Sequence, residues 1–185
     1  MDARAPTDVE AKEEAPADEF LLWVLVWSEL AAFGILLIAF LVTGLLQADA
    51  FAAGRSELNP VLAGINTLVL LTSGWQAALA ARKSALPGER RRALVMAALL
   101  GFVFVAVKLA EYSGEFASGD IARLGAFFEL YFLITGFHLL HVVFGGLILL
   151  LVAWRQTPGN ITLITTLWHV IDLIWIVMFP IIYLV

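Results

Sequence analysis

Apolar residues run through this sequence in five long blocks, separated by short stretches that carry Gly, Pro, Asn or charge. A helix rises about 1.5 Å per residue, so about twenty apolar residues cross roughly 30 Å of hydrocarbon. The blocks are continuous and do not alternate residue by residue, as the strands of a membrane β-barrel would. The pattern predicts an all-α integral membrane bundle of five transmembrane helices, at residues 20–46, 61–81, 93–113, 126–153 and 161–184.

Composition supports a protein with lipid as its main solvent. Of 185 residues, 62% are hydrophobic and 15% charged, and the mean hydropathy is +0.93, which excludes an ordinary water-soluble domain. Acids, Ala and Pro dominate residues 1–19, a composition typical of a disordered acidic tail. Residues 20–185 then form one membrane domain. The chain has no cysteine, which excludes disulfides, iron–sulfur clusters and thiolate zinc sites.

Basic residues predict the orientation, because loops rich in Lys and Arg stay on the cytoplasmic side. One side of the membrane has the N-terminus, loop 82–92 and loop 154–160, and the other has only Arg55 and Arg123. The N-terminus is therefore predicted inside and the C-terminus outside. The basic residues on the inner side are Arg4, Lys12, Arg82, Lys83, Arg90, Arg91, Arg92 and Arg155.

Polar and ionisable residues inside the spans are the candidate functional residues, since each is costly in hydrocarbon unless it is paired or faces the bundle interior. Residue counts from the helix ends predict two layers. Five of these residues share an inner-to-middle layer, and Lys108 lies in the outer third with acidic residues nearby. The nine residues are Glu29, Asn66, Lys108, Glu111, Glu129, His138, His141, His169 and Asp172.

In the outer layer, Lys108 and Glu111 share a helix face at a spacing of three residues. We expect either Glu111 or Glu129 to neutralise Lys108. In the inner layer, His138 and His141 form one pair of neighbours on a face.

His169 and Asp172 form the other inner pair, and Glu29 lies at a similar depth. The inner layer admits three interpretations: a metal or haem site, a proton relay that uses Glu29 and Asp172, or a polar seam that joins helices and contacts lipid. Three histidines are too few for two haems with paired histidine ligands, so we predict no metal site and no catalytic residue in this chain. Asn66 belongs with the histidines to the predicted polar or lipid-binding seam.

Several segments, taken together and in the same order, resemble the cytochrome c oxidase subunit III family. The last two correspond to the family's signature helices, and the earlier three to its Ser-Glu, Asn-Thr and Glu-Tyr segments. The resemblance covers residues 20–185. The segments are WSELAAFG at 27–34, NTLVLLTSG at 66–74, KLAEYSGEF at 108–116, TGFHLLHVVFGG at 135–146 and LWHVIDLIWIVMFPIIYLV at 167–185.

Full-length members of that family have seven helices, with a V-shaped cleft between the first two and the remaining five, and the resemblance leads us to expect that this chain lacks the first pair. Five-helix forms occur in bacterial cytochrome oxidases and quinol oxidases and as the accessory protein of nitric oxide reductase. The short length and the FELYFLITGFHLLHV run favour the last group. The sequence departs from the family at HLLH, where Leu139 replaces a Gly, and at Glu129, which is usually not acidic.

The resemblance implies an accessory, non-redox subunit in a bacterial cytoplasmic membrane. Haem, with copper or iron, would lie in a large catalytic partner subunit, while this chain would stabilise that partner, bind phospholipid and support proton uptake. Glu29 matches the family's carbodiimide-reactive glutamate, and His138, His141, His169 and Asp172 match polar positions of the signature helices. The competing hypotheses are an independent membrane haem or metal protein that uses the three histidines, and a proton channel.

Overall fold

The fold consists of helices in the parts of the chain that a computed structural model describes, residues 10–118 and 125–185. In chain order the helices are α1 (Glu10–Leu46), α2 (Ala48–Glu57), α3 (Pro60–Ala81), α4 (Pro87–Ser118), α5 (Gly125–Trp154) and α6 (Pro158–Tyr183).

Five of these helices are long and apolar enough to cross a membrane, which confirms the predicted number of spans. The spanning part of α1 is Leu22–Leu46, and α3, α4, α5 and α6 provide the other four spans. The N-inside orientation stays a prediction, and "inner" and "outer" refer to it below.

Helix α2 lies outside the predicted spans, and helices α1 and α4 extend past the ends of theirs. The short helix α2 follows α1 directly and buries Phe51, which packs edge-on against Phe40 of α1 and Phe127 of α5. At the other end, α1 continues as helix back to Glu10, into the segment that composition assigned to a disordered tail. Glu, Ala and Lys are good helix formers, and extending an existing helix avoids the cost of a new nucleus. Residues 1–9 lie outside the described part of the chain.

Local sequence sets two of the helix starts. The Asn59 side chain accepts a hydrogen bond from the Leu62 amide at 3.0 Å, with Pro60 at the first helical position of α3. Thr157 caps α6 in the same way, with its hydroxyl oxygen 3.4 Å from the Asn160 nitrogen. Both starts combine a capping side chain with a proline that has no amide proton to leave unsatisfied.

Four helices form the bundle proper: α3 packs against α4, α4 against α5, α5 against α6, and α6 against α3. Helices α4 and α6 are therefore diagonal neighbours. Helix α1 lies outside this square, against α5 and α6, and its span is the least buried, at 11% of its residues against 33–44% for the others. This position opens one side of the bundle between α1, α5 and α6.

Trp168 of α6 is the centre of the bundle packing. Its indole is fully buried and lies against Gly101 of α4 and Gly145 of α5, where an added Cβ would come within 2.7 Å and 2.9 Å of ring atoms. The indole Nε1 donates to the Ser73 hydroxyl at 3.1 Å, which in turn donates to the Ala97 carbonyl at 2.6 Å. One side chain thus joins all four helices, and small residues make its approach possible.

Candidate functional site

The outer polar cluster is built around Lys108 of α4, which is only 1% exposed. Its ammonium group donates to Glu111 Oε2 at 3.0 Å, to the Tyr131 hydroxyl at 2.7 Å and to the Tyr183 hydroxyl. The Tyr183 hydroxyl donates to Glu111 Oε1 at 2.7 Å. Each of the three ammonium protons has an acceptor, and both Glu111 oxygens accept a hydrogen bond. Complete pairing of this kind is what makes a charge tolerable in hydrocarbon.

Aromatic side chains complete the cluster. The Tyr131 hydroxyl lies 3.1 Å from a carboxylate oxygen of Glu111 and 3.1 Å from one of Glu115. The Lys108 ammonium also lies 4.7 Å from the Tyr131 ring centroid and 5.1 Å from that of Tyr183. Helices α4, α5 and α6 are thereby joined near their outer ends by a single charged network.

The expected neutralisation of Lys108 is met by Glu111, the neighbour on its own helix, and not by Glu129. Glu129 is exposed on the surface of α5. It precedes Tyr131 by two residues, and on a helix such residues point to different faces. The sequence reasoning missed Tyr131 and Tyr183. The sequence does indicate that Tyr131 faces the bundle interior. Tyr131, Thr135 and His138 follow one another at spacings of four and three residues, which places them on one helix face.

A cavity of about 340 Å³ opens between α1, α5 and α6, and its polar end holds Glu29 and His141. Glu29 Oε2 lies 3.0 Å from His141 Nε2. On the other side of the ring, His141 Nδ1 lies 2.8 Å from the Phe137 carbonyl oxygen. A carbonyl can only accept, so Nδ1 is the protonated nitrogen and donates to it.

The contact between Glu29 and His141 brings two ionisable groups together, one from α1 and one from α5. It is within ion-pair distance, but Glu29 Oε2 has no hydrogen bond of suitable geometry among the described residues. Opposite charges at this distance would offset each other beside an apolar cavity.

His138 lies in the wall of the same cavity and is completely buried. Its ring stacks on Trp175 with centroids 5.2 Å apart, and Phe33 and Phe104 meet it edge-on. Neither ring nitrogen has a hydrogen-bond partner among the described residues. The imidazole therefore has unused donor and acceptor capacity next to the cavity.

The second inner pair, His169 and Asp172, does not line this cavity. His169 Nδ1 is 3.7 Å from Asp172 Oδ2, and Asp172 is only 5% exposed. An added Cβ at Gly74 of α3 would collide with that Oδ2 atom, so the glycine leaves the carboxyl group its space. The two groups of the predicted inner layer are thus separated across the bundle: Glu29, His138 and His141 line the cavity, while His169 and Asp172 lie at the contact between α6 and α3.

Asn66 is an inter-helix contact. Its side-chain nitrogen donates to the Phe104 carbonyl oxygen at 3.1 Å, and the residue is 1% exposed. Asn66 thus joins α3 to α4 in the bundle interior and does not line the cavity. In residues 10–118 and 125–185, no three His, Asp or Glu side chains converge to hold a metal ion.

The fold and these contacts define a helical membrane protein in which Lys108 pairs with Glu111 and Glu29 with His141, the latter pair beside an apolar cavity. Residues 19–185 match the family described as cytochrome c oxidase subunit III. The chain belongs to the cytochrome c oxidase subunit III family.

Curated relatives agree with the family match. The cytochrome c oxidase subunit 3 of Synechocystis sp. is 32% identical over 145 residues, which are 71% of this chain and 60% of that protein. The subunit 3 of Thermostichus vulcanus is 31% identical over 175 residues, covering 88% of this chain and 85% of its own length. The subunit 3 of Latimeria chalumnae is 34% identical over 131 residues, with 64% of this chain but only 48% of the relative covered. The chain thus spans much of one relative but only about half to two thirds of the other two.

Proposed function

We propose that this chain is an accessory, non-redox membrane subunit of a haem–copper oxidase-type respiratory complex, either a cytochrome oxidase or a nitric oxide reductase, in a bacterial cytoplasmic membrane. The observation that supports this proposal most is internal pairing. Lys108 is neutralised by Glu111 and Glu29 by His141, at 3.0 Å in both contacts. These ionisable groups are used to hold the bundle together and are not arranged around a prosthetic group.

The partner in this proposal is a large catalytic subunit that holds haem with copper or iron. Members of the family are subunits by name. The lipid-facing surface of this chain offers the area for such an assembly, because large apolar side chains are exposed along all five spans. A second helix bundle and bound lipid would cover this surface in the membrane.

The cavity between α1, α5 and α6 fits a phospholipid acyl chain. Its walls are apolar, with side chains such as Phe33, Leu140, Phe144 and Ile174, and it opens beside the loosely packed helix α1. The Glu29–His141 pair at its polar end would receive a polar group of the lipid. The mostly apolar pocket with a few polar groups is the usual form of a binding site.

The same pair supports a part in proton uptake. Glu29 and His141 can each carry a proton, and their side chains lie 3.0 Å apart. A proton could pass from the inner side through such a pair without leaving a net charge behind only where one proton leaves as another arrives. The pair would assist the catalytic subunit's own proton path and carry no electrons.

We predict that Glu29→Gln shortens the lifetime of the complex during turnover and slows proton uptake, with the initial rate of haem reduction unchanged. The amide keeps the size of the side chain but removes the ionisable carboxyl group that faces His141. The measurement is oxygen or nitric oxide consumption followed through successive turnovers, alongside stopped-flow haem reduction and proton uptake by a pH dye.

Glu129→Gln is the matched control, because Glu129 is an exposed glutamate outside the cavity, and it should behave as the unmodified complex. A strain lacking the chain should show the same early loss of activity in stronger form. Outright loss of haem reduction in the Glu29→Gln complex would contradict the non-redox assignment.

A further inference from the structure

The exposed face of α6 has a row of polar side chains that the cavity does not use. Thr162, Thr166 and His169 follow one another at spacings of four and three residues, which places them one above the other on a single face. Thr162 is exposed, Thr166 is partly exposed, and 44% of the His169 side-chain surface is exposed. We call these three residues the α6 stripe.

The α6 stripe faces away from the cavity. The cavity is lined from α6 by Leu167, Val170 and Ile174 among others, and the core is filled by Trp168 and Trp175. With about 3.6 residues per turn, the stripe falls on the remaining part of the helix surface. A lipid in the cavity would therefore leave the stripe uncovered.

His169 lies deep in the membrane. It follows Gly159, the first residue of a 25-residue span, by ten positions, which is about 15 Å along the helix axis. Acyl chains offer no hydrogen bonds at that depth, so a half-exposed imidazole is costly unless another protein segment covers it.

Asp172 lies on the bundle side of the imidazole. Its Oδ2 is 3.7 Å from His169 Nδ1, within ion-pair distance but beyond a hydrogen bond, and Gly74 of α3 provides the room for the carboxyl group. Because Nδ1 faces Asp172, Nε2 on the far side of the ring remains for a partner.

We propose that the α6 stripe is the docking seam for a transmembrane helix of the larger catalytic subunit, with His169 Nε2 hydrogen-bonded to a polar group of that helix. This inference rests on the proposed function. Threonine side chains are small enough for close helix approach, and Thr and His are residues that form hydrogen bonds between membrane helices. A second copy fits less well, since a two-fold contact on this face would oppose His169 to His169, each with Nδ1 facing its own Asp172.

The chain's lack of cysteine allows a direct test. Thr166→Cys places a single thiol in the stripe, and Val103→Cys, on the diagonal helix α4 at a site 47% exposed, is the matched control. Each variant, expressed in its native host, is labelled in membranes with benzophenone maleimide, irradiated and analysed by mass spectrometry. We expect Thr166→Cys to give a product containing this chain and the haem-containing subunit, and Val103→Cys to give lipid adducts without it.

A second variant reports on the hydrogen bond itself. His169→Phe should lose co-purification of the larger subunit as detergent is raised, whereas His169→Gln, which keeps a donor and an acceptor, should retain it. Equal retention in both variants would overturn the role of His169.

Three further outcomes would overturn the seam. The first is capture of the larger subunit from Val103→Cys and not from Thr166→Cys. The second is capture from neither position while the larger subunit still co-purifies with the chain. The third is a product of two copies of this chain. In the first two cases the proposed function survives. Failure of the proposed function itself would look different, because the unmodified chain would then be extracted without any haem-containing subunit.

Discussion

Glu111→Gln is expected to destabilise the protein by about 3–5 kcal/mol, the usual cost of removing one partner from a buried ion pair. Lys108 is 1% exposed and the Glu111 side chain 5% exposed, so water cannot replace the lost charge. The Tyr183 hydroxyl would also lose its carboxylate acceptor. Denaturation of the purified complex in detergent, followed by circular dichroism, measures the loss.

Two comparison variants make the result specific to the ion pair. Glu129→Gln removes an exposed carboxylate from α5 and should change stability by less than about 0.5 kcal/mol, as surface substitutions do. The double variant Lys108→Met with Glu111→Leu should be more stable than Glu111→Gln alone, because it removes the buried ammonium group together with its carboxylate, while Glu115 keeps its contact with Tyr131. A Glu111→Gln protein as stable as Glu129→Gln would contradict the assignment of the cluster.

Gly101→Val should destabilise the bundle by about 1–3 kcal/mol, the typical cost of overpacking a core. An added Cβ at this position would lie 2.7 Å from the buried Trp168 ring. Trp168 cannot withdraw without breaking its hydrogen bond to Ser73, which links α6 to α3. Thermal denaturation in detergent, followed by tryptophan fluorescence, reports both the loss of stability and the displaced indole.

Gly34→Val is the matched control for Gly101→Val. Gly34 lies in the middle of a transmembrane helix as well, but an added Cβ there meets no atom within 4 Å. Both substitutions add the same β-branched side chain to a helix, so backbone propensity largely cancels between them. Equal destabilisation by the two variants would show that the indole contact is not what makes Gly101 necessary.

The five spans could be predicted because length and hydropathy define a membrane helix without reference to its neighbours. Helix α2 could not, because its ten residues are too few and too polar to produce that signal. The Lys108–Glu111 contact could also be predicted without knowing how the helices pack, because side chains three residues apart on one helix are neighbours.

Contacts between helices depend on rotation about each helix axis, and residue counts do not give that rotation. Counting placed Glu29, His141 and Asp172 at comparable depth but could not show that Glu29 meets His141 while Asp172 turns toward Gly74 of α3. Tyr183 was missed for the same reason. Its contact with Lys108 joins residues that are 75 positions apart in the sequence.

The central claim is that the ionisable side chains in these spans are satisfied by one another and by a larger neighbour, without a prosthetic group in this chain. The most direct test is purification of the tagged chain in mild detergent, with native mass spectrometry, metal analysis and an absorption spectrum of the intact complex and of the separated chain. The account predicts a complex with a haem-containing larger subunit, and a separated chain with no Soret band and no bound iron or copper. Haem or metal held by the separated chain, and lost in a His138→Phe or His141→Phe variant, would contradict it.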